Sequence, residues 1–188
     1  MESMFDLFLG LPLHVLVNHF VVVLVPLFSI AFILLVFFEK LRKNYSFITI
    51  IGLAFALVSA FIANQSGEAL TLRVGYPTNH VWWGERLVIV SALLFVVALI
   101  WYLTVEKKSL ISNSLGYVGV LLAIASIVIA VLAGHSGASA SWSYKIESTN
   151  SSSILRQTIS EIKKYNFNSN YFVKDGLIDI SPLLILNS

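Results

Sequence analysis

The sequence predicts an all-α integral membrane protein, in which a bundle of four transmembrane helices precedes a small extramembrane appendage. Of its 188 residues, 57% are hydrophobic and only 12% are charged, and the mean hydropathy is +0.86. Soluble domains carry about 25% charged residues, so most of this surface has to face lipid. The chain also contains no cysteine, which excludes disulfides, thiolate-bound clusters and covalently attached haem.

Four long apolar stretches carry the fold prediction. They cover residues 11–38, 46–63, 82–105 and 115–133. Each holds at least about 18 mostly uncharged residues, which as a helix cross a hydrocarbon layer of about 30 Å. A backbone in lipid has to satisfy its own hydrogen bonds, so each stretch should be helical. Pro26 lies inside the first stretch and should kink that helix without ending it.

The charges of the connecting loops predict how the bundle is oriented. The first loop contains Lys40, Arg42 and Lys43, and the third contains Lys107 and Lys108. Positively charged loops stay on the cytoplasmic side. We therefore expect a multi-pass protein of the plasma membrane with the second loop and both termini on the extracytoplasmic side.

Polar residues gather at the ends of the helices that this orientation places outside. They are His14 and His19 in the first helix, Gln65 and Glu68 in the second, His80, Glu85 and Arg86 in the third, and His135 in the fourth. All four histidines of the chain therefore fall in one layer. Random placement would put them on one side about one time in eight, so a shared side is only modest support for a common site.

The two halves of the bundle resemble each other, which predicts two tandem helical-hairpin repeats. Residues 63–69 align with residues 133–139, and His14 and His19 align with His80 and Glu85. Two hairpins that start in the same direction are related by an axis along the membrane normal. That axis would pair His14 with His80, His19 with Glu85, and Gln65 with His135.

These motifs resemble those of an uncharacterised bacterial family of four-helix membrane proteins, catalogued as domain of unknown function 2231. Gly10-Leu11-Pro12-Leu13-His14 resembles the opening of the family, and its later motifs follow in order. They are Gln65-Ser66-Gly67-Glu68-Ala69-Leu70, His80 with Gly84-Glu85, and Gly134-His135-Ser136-Gly137-Ala138. The resemblance covers about residues 5 to 142 and implies four helices with an outward polar cluster, but no established activity.

The chemistry of the polar layer favours a cofactor site. Imidazole is the usual protein ligand of haem iron, so we expect a b-type haem between His14 and His80, with His135 as the substitute ligand. Gln65, Glu68 and Arg86 would support this site. A non-haem metal is the alternative, and its candidate ligands are His14, His19, His80, Glu85 and His135. Since His14 and His19 lie about 140° apart around a helix, they should not both reach one metal. Purely structural polar packing is the third interpretation.

The remaining segment, residues 143–188, is predicted to be an extracytoplasmic appendage to the transmembrane domain of residues 1–142. Residues 148–153 are rich in Ser, Thr and Asn and are typical of a linker. An apolar stripe over residues 154–165 indicates an amphipathic helix. The Asp-Gly pair within residues 171–180 predicts a β-hairpin. We expect this appendage to lie on the membrane surface or to pack on the bundle or on a partner protein.

The sequence thus predicts a redox-associated membrane subunit that takes part in electron transfer. The alternative is a non-enzymatic accessory or scaffold subunit of a larger membrane complex. Since no nucleophilic or phosphate-binding motif is present, we expect that the protein is not an enzyme by itself. Its small net charge of +2 does not favour nucleic acid as a partner.

Overall fold

The computed structural model describes residues 7–107 and 110–168. In chain order, its elements are strands β1 (Leu7–Phe8) and β2 (Leu11–Pro12), helices α1 (Leu13–Phe37), α2 (Glu39–Val74) and α3 (Thr78–Thr104), a 3₁₀ turn (Val105–Lys107), and helix α4 (Leu110–Asn168). The chain divides into two compact units, Met1–Ser141 and Trp142–Ser188. The first unit holds the bundle, to which all four helices contribute.

All four α-helices of the described residues are long and apolar enough to cross a membrane. Many of their large apolar side chains are exposed on the surface of the bundle, an arrangement that is unfavourable in water and expected in lipid. Among those that are more than half exposed are Phe20, Phe47, Phe55, Leu103, Leu121 and Val131. The predicted four-helix membrane architecture is therefore confirmed. Helix α1 continues through Pro26, as expected for a proline in a transmembrane helix.

The interior of the bundle consists of two apolar clusters. The aromatic core is built around Phe32, Leu94 and Trp101, and the rings of Phe32 and Trp101 meet edge to face with centroids 5.2 Å apart. The alanine core contains Val21, Val25, Ala56, Ala60, Ala63, Leu87 and Ala130. Helices α1, α2, α3 and α4 each supply residues to both cores, so one continuous interior joins the two hairpins.

Arg42 ties the end of α1 to the start of α2. Only Phe38, in an extended conformation, separates these helices. The Arg42 Nε atom donates to the Leu35 carbonyl at 3.2 Å, and Nη2 donates to the Val36 carbonyl at 3.0 Å. Its guanidinium also lies 5.2 Å from the centre of the Trp101 ring. The last carbonyls of α1, which have no partner within their own helix, are thereby satisfied.

The other helix ends follow from local sequence. Gly75, at φ +92°, ends α2, and its N–H donates to the Thr71 carbonyl at 3.0 Å. The helix thus extends eleven residues past the apolar stretch that ends at residue 63, and the motif containing Gln65 and Glu68 is helical. Before α1, Leu9 and Gly10 both have positive φ and connect β1 to β2 in a two-residue hairpin.

The prediction of a linker at residues 148–153 is wrong, because these residues are helical. Their hydroxyl groups donate to backbone carbonyls three or four residues earlier, as Ser148 and Thr149 both do to Lys145. Such bonds satisfy polar side chains within a helix, so the composition did not require a break. The predicted β-hairpin of residues 171–180 lies outside the described residues, and the partner contact stays a prediction.

Close approach of the helices depends on Gly119. A Cβ atom at this position would lie 2.5 Å from Cε1 of Phe32, whose side chain is fully buried in the aromatic core. Gly119→Ala should therefore lower the free energy of unfolding by about 1–3 kcal/mol through overpacking. The matched control is Gly134→Ala on the same helix, where an added Cβ meets nothing within 4 Å. Unfolding in detergent, followed by circular dichroism, compares the two variants, and equal stability of both would contradict this packing.

Candidate functional site

His14 and His80 face each other at the end of the bundle where α2 and α3 are connected. Their ring centroids are 5.7 Å apart, and the ring planes are nearly perpendicular at 80°. Both side chains are half-buried. Each histidine lies at the start of its helix, and the alanine core packs directly beyond the pair.

Each ring is fixed by a hydrogen bond to the backbone of the next helix in the chain. Nδ1 of His14 is 2.8 Å from the Ala63 carbonyl oxygen, and Nδ1 of His80 is 3.0 Å from the Ala133 carbonyl oxygen. Since a carbonyl oxygen only accepts, each Nδ1 carries the hydrogen and donates it. In the neutral ring the lone pair is then on Nε2. Neither Nε2 has a hydrogen-bond partner among the described residues, so both are available to a ligand.

Two glycines make room for these rings. A Cβ on Gly67 would lie 3.1 Å from Nδ1 of His14, and a Cβ on Gly137 would lie 2.9 Å from Cε1 of His80. Nearby serines bond to the same carbonyls that hold the rings. Ser66 Oγ donates to the Ala63 oxygen at 3.1 Å, and Ser136 Oγ donates to the Ala133 oxygen at 2.9 Å.

A cavity opens beside the histidine pair. Its enclosed part measures about 90 Å³, and the empty space reaches about 690 Å³ when the open mouth is included. Most of the lining is apolar and small, and the side chains that bring polar atoms, besides the two histidines, are Asn18, Asn64, Glu68 and Thr71. The enclosed part has room for several water molecules or a hydrated ion.

The other residues predicted for the site do not join the pair. His19 is exposed, and its Nδ1 is 2.8 Å from the Val15 carbonyl of its own helix. Glu85 and His135 are also exposed and do not line the cavity, and neither does Gln65. Among the residues that the structure describes, no group of three or more His, Asp or Glu side chains could hold a metal ion. His14 and His80 are therefore the only predicted ligands that the fold brings together.

Arg86 and Glu68 lie at the periphery. The Arg86 guanidinium stacks over the Trp82 ring, 3.3 Å from its centre, and Nη1 donates to the Trp82 carbonyl at 3.1 Å. Arg86 therefore belongs to an aromatic patch at the end of the helix and is not part of the cavity. Glu68 lines the cavity but is mostly exposed, which places it at the mouth.

Asn18 and Asn64 line the cavity and were not predicted. Asn18 follows His14 by four residues and so lies on the same face of α1, a spacing that could have identified it. The side-chain oxygen of Asn64 lies beside Gly84 of α3, 3.8 Å from where a Cβ would be. No comparable sequence signal marks Asn64.

The fold and site define the class: a four-helix integral membrane protein with a histidine pair near one end of the bundle. The chain belongs to the family described as "Predicted membrane protein (DUF2231)", whose model matches residues 10–150. The resemblance found in the sequence motifs is thus confirmed. Searches of curated proteins and of solved structures gave no match.

The hydrogen bonds to Ala63 and Ala133 lead to a prediction about the histidine tautomers. In protein labelled with ¹⁵N-histidine, His14 and His80 should give the shifts of neutral rings protonated at Nδ1. Solvent-exposed imidazoles mostly populate the other tautomer, so the exposed His135 serves as the reference. Signals are assigned with His14→Gln, His80→Gln and His135→Gln. Nε2-protonated shifts for His14 and His80 would contradict the bonding described here.

Proposed function

We propose that this protein is a redox-associated membrane subunit that binds one b-type haem between His14 and His80. The observation that carries the proposal is the pair of facing imidazoles whose Nδ1–H groups are occupied and whose Nε2 lone pairs are free. Axial haem ligands bind through such a neutral nitrogen, and a hydrogen bond from the opposite nitrogen fixes the orientation of the ring.

The spacing of the rings supports coordination of a single metal centre. Two imidazoles that held one iron between them, with metal–nitrogen bonds of about 2.0–2.1 Å, would have their ring centres about 6 Å apart. The observed separation is 5.7 Å. The haem ring itself would need the open mouth of the cavity, since the enclosed 90 Å³ is too small for a macrocycle.

A bound haem would supply one-electron chemistry at its iron. The residues of this chain would hold both axial imidazoles in a fixed tautomer and keep most of the site in an apolar environment. The Ala63 and Ala133 carbonyls, which accept from Nδ1, would keep each Nε2 free to bind the iron. With both Nε2 atoms taken up by the iron, neither histidine would be left to act as a general base, and the proposed role is electron transfer.

The test is a visible absorption spectrum of the protein purified after expression with adequate haem. We expect a Soret band that shifts on reduction, and His14→Ala and His80→Ala should each remove most of the bound haem. His19→Ala and His135→Ala are the matched controls and should retain it, because neither residue lines the cavity.

Two results would contradict the haem assignment. A wild-type protein without a Soret band but with one equivalent of zinc, copper or iron would favour the non-haem metal site. A protein with neither haem nor metal would favour the purely structural interpretation, in which the histidines only connect helices. Such hydrogen bonds contribute about 0.6 to 2 kcal/mol in a membrane.

We also propose that the bundle consists of two tandem hairpin repeats. The support is that equivalent contacts recur in each hairpin: a histidine bonds to an alanine carbonyl and packs on a glycine four residues further along. In the first hairpin these residues are His14, Ala63 and Gly67, and in the second they are His80, Ala133 and Gly137. The repeat would place the haem close to the axis that relates the hairpins.

The proposed orientation puts this site near the extracytoplasmic face of the plasma membrane. Because the sequence has no cysteine, single substitutions give labelling sites without background. Tyr76→Cys lies between α2 and α3 and Lys40→Cys in the first turn of α2, and both residues are exposed. An impermeant maleimide should label Tyr76→Cys in intact cells but Lys40→Cys only after the cells are permeabilised. The reverse pattern would invert the topology.

A further inference from the structure

Two serines, one near the middle of α3 and one near the middle of the apolar stretch of α4, have buried hydroxyl groups without a hydrogen-bond partner. Ser91 is 6% exposed and Ser126 is 0% exposed. Neither Oγ atom is bonded to any group in the part of the chain that the structure describes. These hydroxyls lie inside transmembrane segments, where bulk water cannot solvate them, and a buried polar group without a partner is costly there.

Other serines of the bundle are satisfied locally. Ser46 donates to the Arg42 carbonyl at 2.6 Å, and Ser136 donates to the Ala133 carbonyl at 2.9 Å. This back-bonding to the preceding turn is the usual solution for serine in a helix. Ser91 and Ser126 do not use it, and both Oγ atoms are left unbonded.

The register between α3 and α4 places the two serines opposite each other. Trp101 lies on Gly116 near one end of this interface, and His80 lies on Gly137 near the other. On α3, Ser91 lies ten residues before Trp101 and eleven after His80. On α4, Ser126 lies ten residues after Gly116 and eleven before Gly137. The two serines therefore lie at the same level of the interface between α3 and α4, and their hydroxyls are not bonded to each other.

In the first hairpin, the residues at the positions equivalent to Ser91 and Ser126 are apolar. Counting eleven residues from the His14–Gly67 contact in the same way leads to Val25 and Ala56. Both are buried members of the alanine core. Ser29 of α1 is also buried and without a bond. The residue at its level on α2 is Gly52, which has no hydroxyl.

We propose that Ser91 and Ser126 bind a water molecule in the middle of the bundle. A buried water needs two to four polar partners and little more space than its own volume. Two buried, unbonded hydroxyls at one level of adjoining helices supply two such partners. The water bonds to both Oγ atoms, and it joins α3 to α4 within the hydrocarbon layer. This inference does not depend on the haem proposal.

Water-edited solid-state NMR of the full-length protein in lipid tests the proposal directly. Magnetisation from water should reach the Ser91 and Ser126 side chains several times faster than it reaches the Ala123 methyl, which is fully buried in the aromatic core. The double variant Ser91→Ala/Ser126→Ala should remove the fast transfer at this level. Transfer to both serines as slow as that to Ala123 would overturn the proposal.

A double-mutant cycle gives a second, independent readout. Ser91→Ala and Ser126→Ala should each lower stability, because each leaves the water and the remaining hydroxyl with one partner fewer. The double variant should recover most of the loss, since both polar groups and the water are gone and Val25 with Ala56 shows that the level tolerates apolar packing. Losses that simply add would overturn the proposal.

Discussion

Rings that pack on glycines of a neighbouring helix set the positions of all four helices. His14 packs on Gly67, Phe28 on Gly52, Phe32 on Gly119, Trp101 on Gly116 and His80 on Gly137. In lipid, helices gain nothing from leaving water, so close van der Waals packing has to hold them together. A ring and a glycine allow the closest approach of two backbones. The histidine pair uses the same contact as the aromatic core, so the candidate site is part of the packing of the bundle.

The packing of the histidine rings on glycines also explains how each imidazole comes to bond to a backbone carbonyl. Once the glycines admit the rings, the nearest polar atoms are the Ala63 and Ala133 carbonyls one turn before each glycine. A carbonyl in a helix already accepts from the N–H four residues later, yet it retains a second lone pair. Each ring therefore finds an acceptor without breaking the helix, and its outward nitrogen stays free. The tautomer follows from helix geometry alone.

Much of the fold was predictable because membrane spans depend on local composition. The pairing of His14 with His80 was also predictable, from the resemblance between the two halves. The directions of His19 and His135 were not, since helix rotation depends on which neighbours pack closely and not on which end of the span a residue occupies. The helical state of residues 148–153 was missed for a different reason: composition does not show that hydroxyls can bond to the turn before them. Arg42 was identified only as a loop charge, and its bonds to the end of α1 required the structure.

The site forms only when both hairpins are in place, because each contributes one histidine together with the carbonyl that fixes it. A ligand held by both Nε2 atoms would therefore connect the two hairpins, and its binding would stabilise the assembled bundle over the separated hairpins. The alanine core beside the pair consists of small residues, which allow close approach but supply little contact area. A ligand that joined the two histidines would add a contact to the part of the bundle that these small side chains pack. Binding of such a ligand would thus be coupled to assembly at this end of the bundle, whereas the aromatic core packs toward the opposite end.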